Sequence, residues 1–329
     1  DLVITTIQRM YSMLKGDKEF DPENEEFSQF ESPTDDTVVE IKYNKNIPIG
    51  AFDFIIIDEC HRSAWGKWSE VLTRNSDAVQ IGLTATPRSF QYVENNEASK
   101  TDEKITADNL AYFGEPAYEY SIGQGIEDGY LAAMEIITND IFIDSNTTAE
   151  WIAGIEQDAL AGKILTDPET GEEVSLEEAK ERYEASSFES KLMIPERVKA
   201  MCESLFNYLV ASGGPEQKTI IFCARDRHAD NVAIEMNNLY ANWCTDNSQE
   251  RVEDYAFKCT AAGGKDYLSE LKGSTRHHFI ATTVDLLTTG VDVPPVVNIV
   301  FFRYVRSPIA FYQMVGRGTR IHAPTNKLM

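Results

Sequence analysis

Residues Phe54-Ile55-Ile56-Ile57-Asp58-Glu59-Cys60-His61 decide the fold class. A short apolar run bounded by polar residues is typical of a strand that is buried on both faces of a parallel sheet. Such a strand delivers the side chains that follow it to the carboxyl edge of the sheet, where open α/β folds bind their ligands. There Asp58 can hold Mg²⁺ and Glu59 can polarise a water molecule. For an isolated Asp-Glu pair, the alternative is an acidic exit from a strand.

Three further segments follow in the chain and favour the first interpretation. They are Gly82-Leu83-Thr84-Ala85-Thr86-Pro87, Thr289-Gly290-Val291-Asp292 and Gln313-Met314-Val315-Gly316-Arg317-Gly318-Thr319-Arg320. In this order the four segments resemble the nucleic-acid-dependent ATPases of helicase superfamily 2. Asp58-Glu59-Cys60-His61 would be the DECH form of their motif II.

A more specific resemblance rests on the residues around and after motif II. These stretches are Asp58 to Ser63 with Gly66-Lys67-Trp68, Tyr112-Phe113-Gly114-Glu115-Pro116, Tyr118-Glu119-Tyr120-Ser121 and Gly125-Ile126-Glu127-Asp128-Gly129. They are similar to the motor part of the restriction subunit of type I restriction-modification enzymes. The resemblance runs over most of the chain and is weakest at 17–48 and 144–185, where the composition is acidic.

The resemblance implies an ATPase, and in phosphoryl transfer the protein mainly positions the reactants and neutralises charge. Asp58 would bind Mg²⁺, and Glu59 would orient and deprotonate the attacking water. His61 resembles the residue that contacts motif VI, with Gln313 as its partner across an interdomain cleft. A surface histidine is the alternative for His61.

Arg317 and Arg320 are the candidate arginine fingers. They lie three residues apart at the end of a predicted helix, hence on one face, where two guanidinium groups could approach a phosphate from the opposite domain. The alternative is a pair of surface arginines. Gly290 and Asp292 resemble motif V, in which the glycine allows close backbone approach and the aspartate meets the ribose or the arginines. A plain turn before Pro294 is the alternative there.

The remaining predicted site residues concern nucleic acid. Thr84 and Thr86 resemble motif III, whose hydroxyls couple the ATP site to the nucleic-acid site. Strand ends and helix starts that carry hydroxyl or basic groups supply the candidate phosphate contacts, which are Thr6, Gln8 and Arg9 in the first domain and Arg225 and Thr282 in the second. Phosphate contacts carry no sequence information, so we expect no base readout.

Composition places the chain among globular proteins of about two domains, because it has 329 residues and is 42% hydrophobic. No apolar run approaches the roughly 20 residues that a bilayer span needs, so we expect a soluble, cytoplasmic protein without a membrane contact. The five cysteines show no metal-ligand spacing and are predicted to be reduced thiols.

Leu2-Val3-Ile4-Thr5-Thr6 predicts a strand already under way, so the chain is expected to begin inside a domain.

The charge is strongly negative and unevenly distributed. The chain has 30 Lys or Arg and 54 Asp or Glu, a net charge of −24. Residues 150–190 hold twelve acidic and three basic residues, whereas 273–329 hold two acidic and six basic ones. This argues against a generally basic nucleic-acid binder and favours a groove with locally concentrated positive charge. A solvated face is the alternative for any one cluster.

The predicted fold is α/β, with two RecA-like parallel-sheet domains joined by an acidic connector. The boundaries are 1–133 for the first domain, which is expected to be incomplete at its N-terminus, 134–194 for the connector, and 195–329 for the second domain. The first domain is predicted to contain a helix through Ile7 and Leu14 and strands at 52–57 and 79–83. The second is predicted to contain a helix from Pro195 to Gly213-Gly214, strands at 219–223, 279–281 and 297–301, and a last helix capped by Ser307-Pro308 whose far end carries the two arginines.

The sequence contains no Gly-x-x-x-x-Gly-Lys-[Ser/Thr] run, the usual loop for the β- and γ-phosphates. We expect that loop upstream of Asp1, and we expect the chain alone to be inactive. The resemblance implies ATP and Mg²⁺ as cofactors.

The predicted function is that of a fragment of the ATP-dependent double-stranded DNA translocase of a type I restriction endonuclease. The implied partners are double-stranded DNA and the methyltransferase and specificity subunits of the restriction complex. The alternatives are another superfamily 2 helicase or a type III restriction subunit, and a non-catalytic nucleic-acid-binding scaffold. Intact Glu59, Arg317 and Arg320 favour an enzyme over a scaffold.

Overall fold

The structure of the chain is a computed structural model that describes most of its residues. The described ranges are 2–15, 45–60, 69–84, 109–139, 163–175, 178, 192–260, 263–273, 276–284, 292–305 and 307–325. The chain divides into two compact units, unit 1 with Asp1–Ser121 and Arg306–Gln313, and unit 2 with Ile122–Val305 and Met314–Met329. Each unit combines a parallel sheet with helices, which confirms the α/β class. The domain boundaries stay a prediction.

Unit 1 contains a two-stranded parallel sheet. Its elements are helix α1 (Ile7–Lys15), strand β1 (Phe54–Ile57), helix α2 (Ser69–Thr73) and strand β2 (Val79–Gly82). Phe54 lies opposite Val79, and Ile57 lies opposite Gly82. Leu14 of α1 and Val71 of α2 form a small core, against which Ile7, Met10 and Ile47 pack. The helix and both strands agree with the sequence pattern.

Strand β1 is not buried on both faces, which corrects the prediction from its apolar run. Phe54 and Ile56 are each 68% exposed, and Val79 and Ile81 on the same face of β2 are also exposed. Ile55 and Ile57 point to the opposite face and are partly covered. Because side chains alternate along a strand, a sheet that is covered on one face leaves every second residue exposed.

The predicted strand at Leu2–Thr6 is also wrong. These residues form neither helix nor strand, and Leu2 and Ile4 are 86% and 88% exposed. A strand needs a hydrogen-bonded neighbour, and no strand in the part of the chain that the structure describes pairs with this segment. Thr6 instead caps α1, because its hydroxyl accepts a hydrogen bond from the Arg9 amide at 3.2 Å.

Unit 2 contains a four-stranded parallel sheet with strand order β4-β5-β3-β6. Its strands are β3 (Thr219–Phe222), β4 (Ala256–Lys258), β5 (Ile280–Thr283) and β6 (Asn298–Phe301), and its helices are α3 (Ile122–Glu127), α4 (Pro195–Ser212), α5 (Asp226–Asp246) and α6 (Leu268–Gly273). Strands β3, β5 and β6 were predicted. Strand β4 was not, because its three residues make too short an apolar run to stand out.

The core of unit 2 lies between helices α4 and α5 and the sheet. Helix α4 buries the five residues that its sequence period singles out, Val198, Met201, Cys202, Leu205 and Leu209. They join Val232 and Met236 of α5 and Ile221 and Ile280 of the sheet in one cluster. The five cysteines of the chain are all buried free thiols.

The last helix, α7 (Pro308–Val315), begins as predicted but ends earlier. The Ser307 hydroxyl accepts a hydrogen bond from the Ala310 amide at 3.1 Å, which is an N-cap. The helix stops two residues before Arg317, because glycines at 316 and 318 favour a tight turn. In that turn the amides of Arg317 and Gly318 bond to the carbonyls of Met314 and Val315, three residues back. The two arginines therefore do not share a helix face, which corrects that expectation.

Candidate functional site

Two carboxylates follow β1 directly in unit 1. Asp58 is exposed, and its Oδ1 accepts a hydrogen bond from the Glu59 amide at 3.0 Å. Glu59 has a φ of 50°, in the left-handed region that glycine favours, and its Oε2 atom is shielded from solvent. A non-glycine residue in this region is strained, and such strain collects at active sites. The carboxylates thus occupy the edge at which a parallel sheet binds its ligand.

The end of β2 lies beside these carboxylates. The Leu83 amide donates to Ile57 O at 2.8 Å, and the Cys60 amide donates to Leu83 O at 2.9 Å. Thr84, the next residue, is exposed at the same edge. These hydrogen bonds bring Thr84 close in space to the Asp58 and Glu59 segment, and its coupling role stays a prediction. Thr86 and His61 lie outside the described residues.

Gly82 and Cys60 form the packing contact beneath this edge. A Cβ atom at Gly82 would lie 2.8 Å from Cys60 Sγ and 3.1 Å from a ring carbon of Phe113, so only glycine fits. Burial, together with the charges of Glu59 and Asp58, raises the pKa of the Cys60 thiol to about 11. Cys60 is therefore a neutral packing residue that the sequence did not single out.

In unit 2, Arg320 and Asp292 are brought together. Arg320 Nε lies 3.4 Å from Asp292 Oδ1, and both side chains are more than half exposed. Arg320 pairs with Leu131 in a β-bridge, and the Ala132 amide donates to Thr319 O at 2.8 Å, so the segment after α3 holds the arginine backbone. The motif resemblance had linked Asp292 to the arginines, and this contact agrees with it.

Gly318 fixes the turn that carries Arg317 and Arg320. A Cβ atom at Gly318 would lie 2.8 Å from Ile299 Cγ1, so the backbone sits against strand β6.

Gln313 of unit 1 is buried, and neither its amide nitrogen nor its amide oxygen has a hydrogen-bond partner among the described residues. A buried unpaired amide costs about 1–3 kcal/mol, which a partner or ligand would recover. Its pairing with His61 stays a prediction, and Gly290 lies outside the described residues.

The candidate nucleic-acid contacts of unit 1 lie at the start of α1. Thr6 and Arg9 are both exposed there, joined by the cap hydrogen bond. Gln8 belongs to the same helix, but its side chain is not among those described.

In unit 2, Arg225 is the half-buried N-cap residue of α5, and its Nη2 lies 3.9 Å from Glu169 Oε1. Thr282 is fully buried, and its hydroxyl donates to Ala229 O at 2.8 Å. This corrects the expectation of a nucleic-acid contact at Thr282, because its side chain ties β5 to α5 and does not reach the surface.

A charged cluster that the sequence did not reveal lies next to Arg225. Lys258 Nζ lies 2.7 Å from a carboxylate oxygen of both Asp226 and Asp230, and the Thr260 hydroxyl donates to Asp226 at 2.5 Å. Burial raises the pKa of Asp226, but the hydrogen bonds from Lys258 and Thr260 outweigh it and leave that pKa below its usual value. The only sequence signal was the spacing of Asp226 and Asp230, four apart on one helix face.

Comparisons with known proteins agree with the motifs. Residues 1–89 match the family model "Type III restriction enzyme, res subunit", and residues 196–322 match "Helicase conserved C-terminal domain". The chain is 33% identical over 290 residues to the type I restriction enzyme EcoAI endonuclease subunit of Escherichia coli, covering 86% of this chain and 31% of that protein. It is 29% identical to the EcoKI endonuclease subunit of Escherichia coli strain K12, covering 87% and 24%. The chain thus spans about a third or less of the curated relatives that it matches.

Solved structures give the same picture. A fragment structure of an HsdR subunit of a type I restriction enzyme from Vibrio vulnificus YJ016 superposes with a TM-score of 0.53 at 30% identity, covering 84% of this chain and 42% of that one. The fold also resembles the ATP-dependent Type ISP restriction-modification enzyme LlaBIII bound to DNA, with a TM-score of 0.50 at 18% identity, covering 82% of this chain and 17% of that one. No helix among the described residues is long and apolar enough to cross a membrane.

Proposed function

Because this chain is homologous to the endonuclease subunits of type I restriction enzymes over most of its length, we propose that it is part of their ATP-dependent motor. The motor would move double-stranded DNA before cleavage. The observation that carries the proposal is the position of Asp58 and Glu59 directly beyond β1, at an edge that Thr84 also reaches after β2. A non-catalytic scaffold has no use for a strained glutamate at that edge.

The residues present fit Mg²⁺ and ATP. Magnesium is usually held by one or two carboxylates together with water and substrate phosphates, and Asp58 is an exposed carboxylate of this kind. The Gln313 amide, which has no hydrogen-bond partner among the described residues, offers the nucleotide a donor and an acceptor. When bound, Mg²⁺ supplies positive charge to the phosphates.

Glu59 orients the attacking water and accepts its proton. The hydrogen bond from its amide to Asp58 restrains the backbone from which the carboxylate projects. Arg317 and Arg320 neutralise the charge that builds up on the phosphates, and Asp292 orients the Arg320 guanidinium beforehand. An arginine in this role is worth about 10³ to 10⁵ in rate in well-studied phosphoryl-transfer enzymes.

Thr84 couples hydrolysis to DNA movement. The hydrogen bonds of Leu83 with Ile57 and Cys60 join the two strand ends, so a shift at Glu59 would reach Thr84 through the backbone. Thr6, Arg9 and Arg225 bind DNA phosphates, which lets the motor step along any sequence. The methyltransferase and specificity subunits of the restriction complex are the proposed partners, and the proposed location is the cytoplasm.

Glu59→Gln tests this function in the intact subunit. The amide keeps the size of the side chain but cannot accept a proton, so we expect DNA-stimulated ATP hydrolysis to be lost while nucleotide affinity stays within about twofold. Asp53→Asn, at the amino end of the same strand, is the matched control and should hydrolyse ATP normally. Hydrolysis by Glu59→Gln at a rate close to that of the wild type would reject Glu59 as the base.

A second candidate, a type III restriction subunit, is favoured by the family match at residues 1–89. Co-purification from the native host separates the two. A type I subunit should be recovered with a methyltransferase and a separate specificity subunit, whereas recovery without a specificity subunit would favour the second candidate.

A further inference from the structure

An acidic hairpin at residues 165–174 lies against the start of helix α5. Arg227 Nη1 donates to Thr170 O at 3.1 Å, and Arg225 Nη2 lies 3.9 Å from Glu169 Oε1. The tip of the hairpin therefore contacts two arginines at a helix start that follows β3. One of them, Arg225, is the proposed DNA contact of unit 2.

The hairpin is a defined structure. Its ends are joined by hydrogen bonds from the Asp167 amide to Glu172 O and from the Val174 amide to Leu165 O. At the tip, Asp167 Oδ1 accepts from the amides of Glu169 and Thr170 at 2.8 and 3.0 Å. The base is anchored to the residues before α4, because Thr166 and Met193 exchange two backbone hydrogen bonds of 2.9 Å.

Gly171 allows the close contact with Arg227. A Cβ atom at Gly171 would lie 2.0 Å from Arg227 Cζ, so the guanidinium group lies flat on the glycine backbone. Gly171 also has a φ of 74°, which other residues rarely adopt. The turn thus has both the backbone conformation and the open surface that seat this arginine.

The charges at this place are complementary. Residues 163–175 carry four carboxylates and one lysine. Lys258, a further cation near this helix start, forms ion pairs with Asp226 and Asp230. Arg225 and Arg227 both contact the tip of the hairpin, Arg225 through the Glu169 carboxylate and Arg227 through the Thr170 carbonyl oxygen.

We propose that Arg225 and Arg227 form a phosphate-binding pair for DNA, and that the hairpin tip at residues 167–171 is an internal competitor that covers the pair until DNA displaces it. The inference rests on the proposed function, because it takes Arg225 as a DNA contact, and it adds Arg227 as a second contact.

The contact has the strength that a displaceable cover needs. The Arg225 and Glu169 side chains are 36% and 72% exposed, and a solvent-exposed ion pair shifts an equilibrium by about fivefold at most. DNA phosphates, which present a row of charges, can outcompete it. An internal competitor lowers the apparent DNA affinity by the fraction of molecules in which the pair is covered.

The test compares the affinity for a short DNA duplex of arbitrary sequence at low and moderate salt. Glu169→Gln removes the charge of the cover, and Gly171→Ala pushes Arg227 off the turn, so each should raise the affinity by about twofold to fivefold at low salt. Glu173→Gln is the matched control, because Glu173 is an exposed carboxylate of the same hairpin and lies away from both arginines in the described contacts. It should change the affinity by much less.

The variants Arg225→Ala and Arg227→Ala complete the test. Each should weaken DNA binding, and Glu169→Gln should have no further effect when combined with Arg225→Ala. If Glu169→Gln and Gly171→Ala leave the affinity unchanged while Arg225→Ala lowers it, the cover is refuted and the proposed function stands. If Arg225→Ala itself has no effect on DNA affinity, the DNA contact fails, and the cover fails with it.

Discussion

At the scale of single residues, the backbone of Glu59 is the least expected feature. Among the described residues, four non-glycine residues have a positive φ, and Glu59 is the one at the predicted catalytic position. A left-handed conformation costs a non-glycine residue roughly 1–2 kcal/mol. The Asp58 side chain offsets part of that cost by accepting a hydrogen bond from the Glu59 amide, and the strain fits the catalytic role that we propose for Glu59.

His228 makes the stability of unit 2 depend on pH. It is fully buried, and its Nδ1 accepts a hydrogen bond from the Ala224 amide at 3.2 Å. Burial, with a contribution from the charge of Arg197, lowers the pKa of His228 from 6.5 to about 3. Between these two values the unfolded chain binds a proton that the folded chain does not, so stability falls as the pH drops below 6.5. The loss should be about 1.4 kcal/mol per pH unit.

Chemical denaturation between pH 8 and pH 5 measures this effect. We expect His228→Gln to lower the slope of unfolding free energy against pH, while His277→Gln, which changes an exposed histidine, keeps the slope of the wild type. Equal slopes in all three proteins would mean that His228 is protonated as readily in the fold as in the unfolded chain.

The sequence predicts some of the contacts in the candidate site but not others. The pairing of Asp292 with Arg320 could be expected, because both belong to motifs whose function needs them together. The burial of Thr282 could not, because a hydroxyl at a strand end looks the same in sequence whether it faces solvent or a neighbouring helix. The cluster around Lys258 could be predicted only from the strand order, because Lys258 and Asp226 are far apart in sequence.

At the scale of secondary structure, the contact between Gly82 and Cys60 determines how closely the chain after β1 packs on β2. Gly82→Ala would force a Cβ atom to 2.8 Å from Cys60 Sγ, and overpacking of this kind typically costs about 1–3 kcal/mol. Cys60→Ala removes the sulfur, so the double variant should be more stable than the sum of the single effects predicts. Thermal unfolding of the four proteins measures the coupling.

Gly273→Ala is the control for this cycle, because no atom of the residues that the structure describes lies within 4 Å of the position its Cβ would take. It should leave the unfolding transition nearly unchanged. Strict additivity of Gly82→Ala and Cys60→Ala would show that the two residues do not press on each other.

The sequence predicted where elements lie better than how they are covered or where they end. Apolar runs placed β1, β2, β3, β5 and β6, and Pro195 and Ser307 marked two helix starts, because caps and apolar periods are local signals. The prediction that β1 is buried on both faces was wrong, because the sequence of one strand does not show whether one or both faces of its sheet are covered. Helix α7 ends earlier than the sequence predicts, because Gly316 and Gly318 favour a turn over a further helical turn.

At the scale of the whole molecule, a net charge of −24 limits how the chain would bind the DNA that we propose as its partner. DNA binding is then confined to a few local cations, and each phosphate contact contributes about one unit to the salt dependence of the affinity. Arg9 and Arg225 lie in different units, so each unit would supply its own contact. The composition predicts the need for such local sites, and the contact between Arg225 and the acidic hairpin is the observation on which the proposed cover of one of them rests.

The central claim is that the Arg320 and Arg225 side chains serve different steps, hydrolysis and DNA binding. The measurement that tests it most directly is the rate of ATP hydrolysis at saturating DNA in the intact subunit, for Arg320→Ala and Arg225→Ala side by side. Arg320→Ala should lose at least about 10³ in rate, because its charge acts on the phosphates. Arg225→Ala should hydrolyse ATP close to the wild-type rate, but it should require a higher DNA concentration to reach that rate. A normal rate in Arg320→Ala, or a lost rate in Arg225→Ala at saturating DNA, would contradict the account.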